Sequence, residues 1–281
     1  QLLAADEVEY FRARHARYFA ALARDTAPQA IRSTSAAVHF TLGIDFDPWL
    51  TRIALDIDNL RAALRWALGE GRDPGAGADL ALWLYQYWTM RGPPSEAVAW
   101  LERAIELLPP GEDELRRPRL LSAIADFSGN IGNQSRAESA GVEALALLRR
   151  LPDRFDLMRV LQMRTSDLMQ RARYDEAAIH VEEWLAIARS RGDTRYEAIG
   201  LFWLGLQYLN RREFARAEAL MEESVRTVPP GDHGTLMTAR AHQALVWLWG
   251  RGEADRARPV LAAVVRYYRD TGFAFGIATV L

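Results

Sequence analysis

The 281-residue sequence contains no cysteine and no lysine. Without cysteine, disulfide bonds and thiolate metal sites are excluded. Without lysine, a Walker-type phosphate loop and Schiff-base chemistry are excluded as well, because both depend on the lysine amine. All 35 basic residues are therefore arginine.

The sequence also lacks a strong charge of either sign and any long apolar run. Its net charge of −2 provides no basic field that would hold nucleic acid. The most apolar stretch, residues 198–209, is too short to span a bilayer. Residues 1–15 have neither the basic flank nor the apolar run of a signal peptide. We therefore expect a cytoplasmic protein without direct membrane or nucleic-acid binding. Its first and last residues suggest a piece of a longer chain.

An internal repeat dominates the rest of the chain. Each of five turn-like segments leads into an alanine, and apolar or small residues follow it four and seven positions later. Because that spacing marks one face of a helix, each alanine should open the second helix of a hairpin. The alanines recur at a constant interval of 40 residues: Ala97, Ala137, Ala177, Ala217 and Ala257.

The fourth repeat resembles the tetratricopeptide repeat (TPR) in Leu204, Gly205, Tyr208, Ala217 and Pro229. The pattern predicts an all-α, TPR-like α-solenoid of helical hairpins, with an irregular helical bundle as the alternative. Residues 79–281 should form five repeats of period 40 and a truncated sixth that starts at 272. The predicted helix pairs are 79–91 with 94–108, 115–131 with 134–150, 154–171 with 174–190, 194–211 with 213–227, and 235–250 with 253–270. Thr194 and Glu197 form a candidate capping box.

Residues 1–78 are predicted to form an N-terminal helical cap. One amphipathic helix should cover residues 6–25 and bury a side made of Val8, Phe11, His15, Tyr18, Phe19 and Leu22. A second helix should start at Asp47 and Pro48, which suit the N-cap and first helical positions, and run to about Leu68. The glycine-rich residues 69–77 are predicted to be a linker.

This region carries a family resemblance. The run WLTRIALDIDNLRAALRWALGEG from residue 49, with LALWLYQYWTMRG and EAVAWLERAI after it, resembles the segment that follows the ATPase module in bacterial STAND-class signal-transduction ATPases. The resemblance covers residues 6–108, and only the generic TPR pattern continues beyond. The matching residues are Trp49, Leu50, Asp58, Asn59, Leu60, Arg61, Ala63, Leu64, Trp66, Gly92, Glu96, Trp100 and Leu101.

The resemblance implies the TPR sensor region of a bacterial signal-transduction or transcription regulator. Its partner would be a protein, a peptide or a small-molecule inducer. An ATPase module would lie upstream in the same chain, often with a DNA-binding domain of the LuxR, OmpR or SARP type. The alternative is a free-standing TPR adaptor or peptide receptor. We expect no enzyme activity, metal or cofactor, because no nucleophile–base set, metal-ligand spacing or phosphate loop is present.

In TPR proteins the first helices line a concave groove, so residues about 8, 11 and 15 positions before each alanine should face it. Amide side chains there could hold a peptide backbone, and Phe202 and Trp249 could pack apolar groups. The alternative is that these residues only pack between helices. The predicted binding residues are Gln86, Ser122, Asp126, Asn130, Gln162, Arg164, Ser166, Gln170, Phe202, Asn210, His242 and Trp249.

Arg164 stands where the other repeats place Leu84, Ile124, Leu204 and Ala244. An arginine buried at such a position requires a counter-charge. The sequence therefore predicts an ion pair between Arg164 and either Asp126 or Asp167.

Overall fold

The computed structural model describes residues 5–26, 47–70, 72–109, 111, 114–152 and 154–270. These residues are mainly helical and contain no strand. None of the helices in these ranges is long and apolar enough to cross a membrane. The chain divides into two compact units, one ending at Asp156 and the other running from Leu157, and each is described by itself.

The first unit contains a helical cap and two hairpins. The cap consists of α1 (Ala5–Thr26), α2 (Asp47–Leu55) and α3 (Ile57–Leu64), and a π-helical turn at Arg65–Gly69 prolongs α3. The first hairpin pairs α4 (Pro74–Trp83) and α5 (Tyr85–Met90) with α6 (Pro94–Leu107). The second pairs α7 (Arg116–Asn130) with α8 (Gln134–Leu148). Helix α1 packs on α3 and α4, and α6 packs on α7.

The second unit contains three hairpins, and α9 (Phe155–Gln170) enters it from the end of the first unit. Helix α10 (Tyr174–Arg191) follows α9, and α11 (Thr194–Asn210) pairs with α12 (Phe214–Thr227). The last hairpin joins α13 (His233–Leu245), extended by a π-helical turn at Val246–Gly250, to α14 (Ala254–Asp270). The all-α prediction is confirmed, and helices lie close to the predicted pairs, except that the first helix of the first pair begins at Pro74 and is interrupted at Leu84. The truncated sixth repeat predicted from residue 272 lies outside the described residues.

The five alanines that set the repeat are core residues. Each lies in a second helix and is at most 2% exposed. A larger side chain at such a position would force the paired helices apart, since close-packed interiors tolerate added volume poorly. The 40-residue period therefore reflects the close contact between paired helices. The alanines at these contacts are Ala97, Ala137, Ala177, Ala217 and Ala257.

The turns inside the second to fifth hairpins each contain one residue with a left-handed backbone. Gly132 and Gly252 adopt φ angles of 80° and 69° in the second and fifth hairpins. Ala172 and Arg212 occupy the same place in the third and fourth hairpins, with φ angles of 56° and 61°. Residues with a Cβ rarely adopt this conformation. The turn geometry therefore overrides the local preference of the residue present.

Arginine–carboxylate pairs join neighbouring hairpins. Arg116 binds both oxygens of Asp79, with N–O distances of 2.9 and 3.2 Å. Such forked contacts need a planar guanidinium, which lysine does not offer. Arg136 contacts both oxygens of Glu102 in the same way. Two simpler ion pairs, Arg119–Asp156 and Arg195–Asp232, also lie within one or the other unit.

Helix α1 buries the predicted side only in part, since Val8, His15, Phe19 and Leu22 are half-buried. Ala16 and Ala23 are its buried residues, at 5% and 0% exposure, whereas Phe11 and Tyr18 are 56% and 59% exposed. Glu9 fixes the helix on this side, since its carboxylate accepts a hydrogen bond of 2.8 Å from the Trp66 indole. The small side chains of Ala16 and Ala23 allow α1 to approach the neighbouring helices closely, so they are buried and Phe11 and Tyr18 remain exposed.

Two local predictions in the cap were also wrong. The helix expected from Asp47 to Leu68 is interrupted at Asp56, between α2 and α3. The expected linker contains the first turn of α4, because the Asp73 carboxylate caps it by accepting from the Ala76 N–H at 3.0 Å. Gly77 then packs so tightly that a Cβ would lie 2.5 Å from Leu68 Cγ. Both glycines of α4 are therefore helical rather than flexible.

The capping box predicted at Thr194 does not form. The N-cap of α11 is Asp193, whose carboxylate accepts from the Tyr196 N–H at 3.1 Å. Glu197 instead pairs with Arg189 at 2.7 Å. Asp193, one residue upstream of Thr194, accepts from the free N–H group of the first turn. Its charged carboxylate is a stronger acceptor than the threonine hydroxyl.

Candidate functional site

The predicted binding residues of the first unit are mostly inaccessible. Gln86 and Ser122 are only 3% and 1% exposed. Asp126 is half-buried and accepts a hydrogen bond from the Tyr85 hydroxyl across the α5–α7 boundary. Asn130 alone is exposed, at the end of α7. Tyr85 was not among the predicted binding residues, although it stands one residue before the predicted groove position Gln86.

In the second unit, α9 presents a polar stripe. Gln162, Ser166 and Gln170 recur every four residues and so share one face of the helix. Gln170 Nε2 donates to Ser166 Oγ at 3.5 Å, and Gln170 is exposed while Ser166 is half-buried. Gln162 is 6% exposed, and its Oε1 has no hydrogen-bond partner in the described part of the chain. A buried carbonyl oxygen without a donor costs free energy. The groups of the stripe that a ligand can reach are those of Ser166 and Gln170.

The predicted Arg164 ion pair is present. Arg164 Nη1 lies 3.1 Å from Asp167 Oδ2, and the arginine side chain is 7% exposed. Asp167 also contacts Arg171 Nη2 at 2.6 Å. Arg164 follows Gln162 by two residues, which is roughly 200° around a helix. Arg164 therefore lies on a different face of α9 and places no accessible positive charge beside Gln162.

Phe202 was expected on an open groove surface but is a core residue, at 7% exposure. It belongs to a cluster with Leu209 and Val246, which the packing of α11 on α13 buries. Asn210, at the end of α11, is exposed, and its Nδ2 donates to the Leu206 carbonyl at 2.9 Å. Phe202 therefore packs against other core residues and is not available to contact a ligand.

His242 is half-buried on α13, with its ring centroid 4.4 Å from that of Phe202. Its Nδ1 lies 2.9 Å from the Thr238 carbonyl oxygen. Since a carbonyl can only accept, Nδ1 carries the proton and Nε2 is left as an acceptor. Burial lowers the pKa of His242, against a smaller opposite effect of the Thr238 carbonyl. The ring is therefore neutral at pH 7.

Trp249 is 65% exposed on the π-helical turn that ends α13. Trp247 anchors this turn, because its indole donates to Glu218 at 3.0 Å and the Arg256 guanidinium lies 3.9 Å from its ring centroid. An exposed tryptophan held by a fixed turn is well suited to contact a partner.

The twelve predicted residues therefore separate by accessibility. Five of them (Gln86, Ser122, Gln162, Arg164 and Phe202) lie at 7% exposure or less. The remaining seven are half-buried or exposed. Across the described ranges, no three His, Asp or Glu side chains converge in a way that could hold a metal ion. What the second unit offers is a set of neutral hydrogen-bonding groups and one exposed tryptophan.

Comparison with known proteins supports the fold. No protein-family model matches the chain, and no curated protein matches it either. Among solved structures, a STAND protein with a tetratricopeptide repeat sensor from Pyrococcus horikoshii is similar over 100% of this chain and 43% of its own, at 16% identity and a TM-score of 0.63.

Two Rap proteins are also similar to this chain. The first, complexed with competence and sporulation factor, matches 81% of this chain and 65% of its own, at 14% identity and a TM-score of 0.60. The second is the Rap conjugation gene regulator of plasmid pLS20 in complex with the Phr* peptide. It matches 72% of this chain and 56% of its own, at 16% identity and a TM-score of 0.54. The chain thus has the TPR-like helical-repeat fold and spans only part of the length of these neighbours.

Proposed function

We propose that the first-helix face of the second unit binds an extended peptide segment of an inducer or partner protein. This face comprises Ser166, Gln170, Asn210, His242 and Trp249. The observation that carries the proposal is the 65% exposed Trp249, held on a fixed turn of a unit that also exposes the Gln170 and Asn210 amides.

The chemistry of the face fits a peptide backbone. His242 Nε2 is an acceptor for a backbone N–H group, whereas the Gln170 and Asn210 amides can both donate and accept. Trp249 offers apolar area for one side chain. No residue of the face carries a formal charge at pH 7, because the pKa of His242 is lowered. A neutral peptide stretch therefore fits better than a phosphorylated ligand.

We further propose that this region acts as the sensor of a larger cytoplasmic bacterial regulator and does no catalysis itself. The resemblance of residues 6–108 to STAND-class regulators supports this context. The structural similarity of this chain to 43% of a STAND protein with a TPR sensor supports it as well. Peptide binding by a Rap protein of the same fold supports the choice of ligand class. An ATPase module and a DNA-binding domain would then belong to the same native chain.

Peptide selection tests the binding proposal. A displayed library of random dodecapeptides would be selected on the immobilised chain, and the enriched peptide would be titrated calorimetrically. We expect at least tenfold weaker binding with Gln170→Leu and with Asn210→Ala, but unchanged binding with Gln134→Leu. Gln134 is an exposed residue of α8 in the first unit and serves as the matched control. Equal binding by all four proteins would contradict the proposal.

The regulator context has its own test, the intact mass of the native polypeptide. A mass well above the 31.7 kDa of this chain, with ATP binding by the whole protein, is the expected result. A native mass near 31.7 kDa would instead favour the free-standing adaptor or peptide receptor.

A further inference from the structure

Helix α14 carries a groove that the first-helix face does not include. The groove has a volume of about 710 Å³. Its apolar floor includes Leu248, Leu261 and Val265, and Arg258, Arg266 and Arg269 stand among its lining residues. The three apolar residues are half-buried, and the three arginines are exposed.

The charge of this face is reversed relative to the earlier repeats. Second helices α6, α8, α10 and α12 carry glutamates one, five or six residues after their register alanine. Two of these accept an arginine from the next second helix, in the pairs Arg136–Glu102 and Arg256–Glu218. The same three positions on α14 hold Arg258, Ala262 and Ala263. Helix α14 therefore ends the pattern of carboxylates.

This reversal determines what can pack on α14. A further hairpin built like the second or fifth would bring an arginine towards Arg258, and like charges repel. A second copy of this chain is also a poor occupant, since two α14 faces would oppose their arginines. Charge complementarity instead favours an acidic partner.

We propose that the α14 groove docks an acidic amphipathic helix of a partner protein. Apolar residues of that helix cover Leu248, Leu261 and Val265, and its carboxylates pair with Arg258, Arg266 and Arg269. Arg258 and Arg266 are two turns apart, about 12 Å along the axis. The matching carboxylates are therefore spaced by seven or eight residues. This docking does not depend on peptide binding by the first-helix face, so each can fail separately.

The test uses a fluorescein-labelled synthetic helical peptide of about 18 residues, long enough to form a helix with a leucine stripe. One version carries glutamate on both flanks of the stripe, and the other carries lysine. Fluorescence anisotropy with the full chain should show the glutamate peptide binding at least tenfold more tightly. The double variant Arg258→Glu with Arg266→Glu should lose the glutamate peptide and gain the lysine peptide.

A charge-matched control is the double variant Arg150→Glu with Arg240→Glu, which changes two exposed arginines outside the groove. It should bind like wild type, and circular dichroism should show all variants folded. Equal binding of both peptides, or no binding of either, would overturn the proposal. So would glutamate-peptide binding that appears only after deletion of residues 271–281, or wild-type self-association that Leu261→Asp abolishes.

Discussion

Arg61 and Glu96, which lie 35 positions apart, form a forked ion pair between α3 and α6. Nε and Nη2 of Arg61 donate to the two Glu96 oxygens at 2.7 and 2.9 Å. The Arg61 hydrogen bonds lower the pKa of Glu96, against an opposing effect of burial. This ion pair links the N-terminal cap to the first hairpin. Both residues belong to the segment that resembles STAND-class regulators.

Replacing Arg61 with leucine should lower the free energy of unfolding by about 1–3 kcal/mol, because it leaves a partly buried carboxylate without its partner. The Glu96 side chain is only 18% exposed. Urea unfolding at pH 7 measures the change. The control is Arg24→Leu, which removes a pair whose side chains are 55% and 58% exposed and should change nothing measurable. Equal effects of the two substitutions would contradict this account.

The same pair predicts a pH dependence. The folded pKa of Glu96 lies below its ordinary value of 4.5, so the unfolded state takes up the proton first as the pH falls. The contribution of the pair is therefore complete above pH 4.5 and is lost as the pH falls through the folded pKa. The stability difference between wild type and Arg61→Leu should shrink over that range. A constant difference from pH 7 to pH 3 would argue against an electrostatic role.

The hairpin turns predict opposite effects of two glycine exchanges. Arg212 adopts a φ of 61°, which costs a residue with a Cβ roughly 1–2 kcal/mol. Arg212→Gly should recover part of this and stabilise the chain by about 0.5–1 kcal/mol, even after the entropy cost of glycine. Gly132, with a φ of 80°, is the matched site, and Gly132→Ala should destabilise. Thermal unfolding of both variants checks the pair, and effects of the same sign would contradict the turn assignment.

Gln207 is a buried amide, only 1% exposed. Neither its Nε2 nor its Oε1 has a hydrogen-bond partner among the residues that the structure describes. The equivalent residues of three other repeats are the aromatic Tyr87, Phe127 and Trp247. Gln207→Met keeps the volume and removes the unsatisfied groups, so it should raise the free energy of unfolding by about 1–2 kcal/mol. Chemical denaturation measures it, and a loss of stability would show that the amide is satisfied in solution.

His242 predicts a loss of stability at mildly acidic pH. Its folded pKa lies below the ordinary value of 6.5, so the unfolded state binds more protons between the two values. The free energy of unfolding should therefore fall as the pH drops through 6.5 and level off below the folded pKa. His242→Gln removes this titration, and its stability should change less between pH 7.5 and pH 5.5. Parallel pH profiles for the two proteins would exclude the effect.

Much of the fold could be predicted from the sequence because one residue type marks each hairpin. Ala97, Ala177 and Ala217 are fully buried, since the close approach of two helices excludes larger side chains there. The buried position of Arg164 was predictable for the same reason, as it interrupts a column of apolar residues. Only Asp167 or Asp126 offered a counter-charge, and Asp167 provides it.

Other features depend on competition between alternatives that a single sequence does not rank. Phe11 and Ala16 lie on different sides of the same amphipathic helix, and either side suits burial by composition. The packing of α11 on α13 decides that Phe202 joins the core, because Val246 faces it there. The accessibility of each candidate residue was therefore the least predictable property, while helix positions were the most predictable.

Single-cysteine footprinting tests the central claim, peptide binding by the first-helix face, most directly. The chain has no cysteine, so Ser166→Cys places one reactive thiol in the proposed site. Ser190→Cys places one on the exposed end of α10 as the control. A saturating selected peptide should slow maleimide labelling at position 166 at least tenfold and leave position 190 unchanged. Unchanged labelling at 166, with the peptide demonstrably bound, would contradict the account.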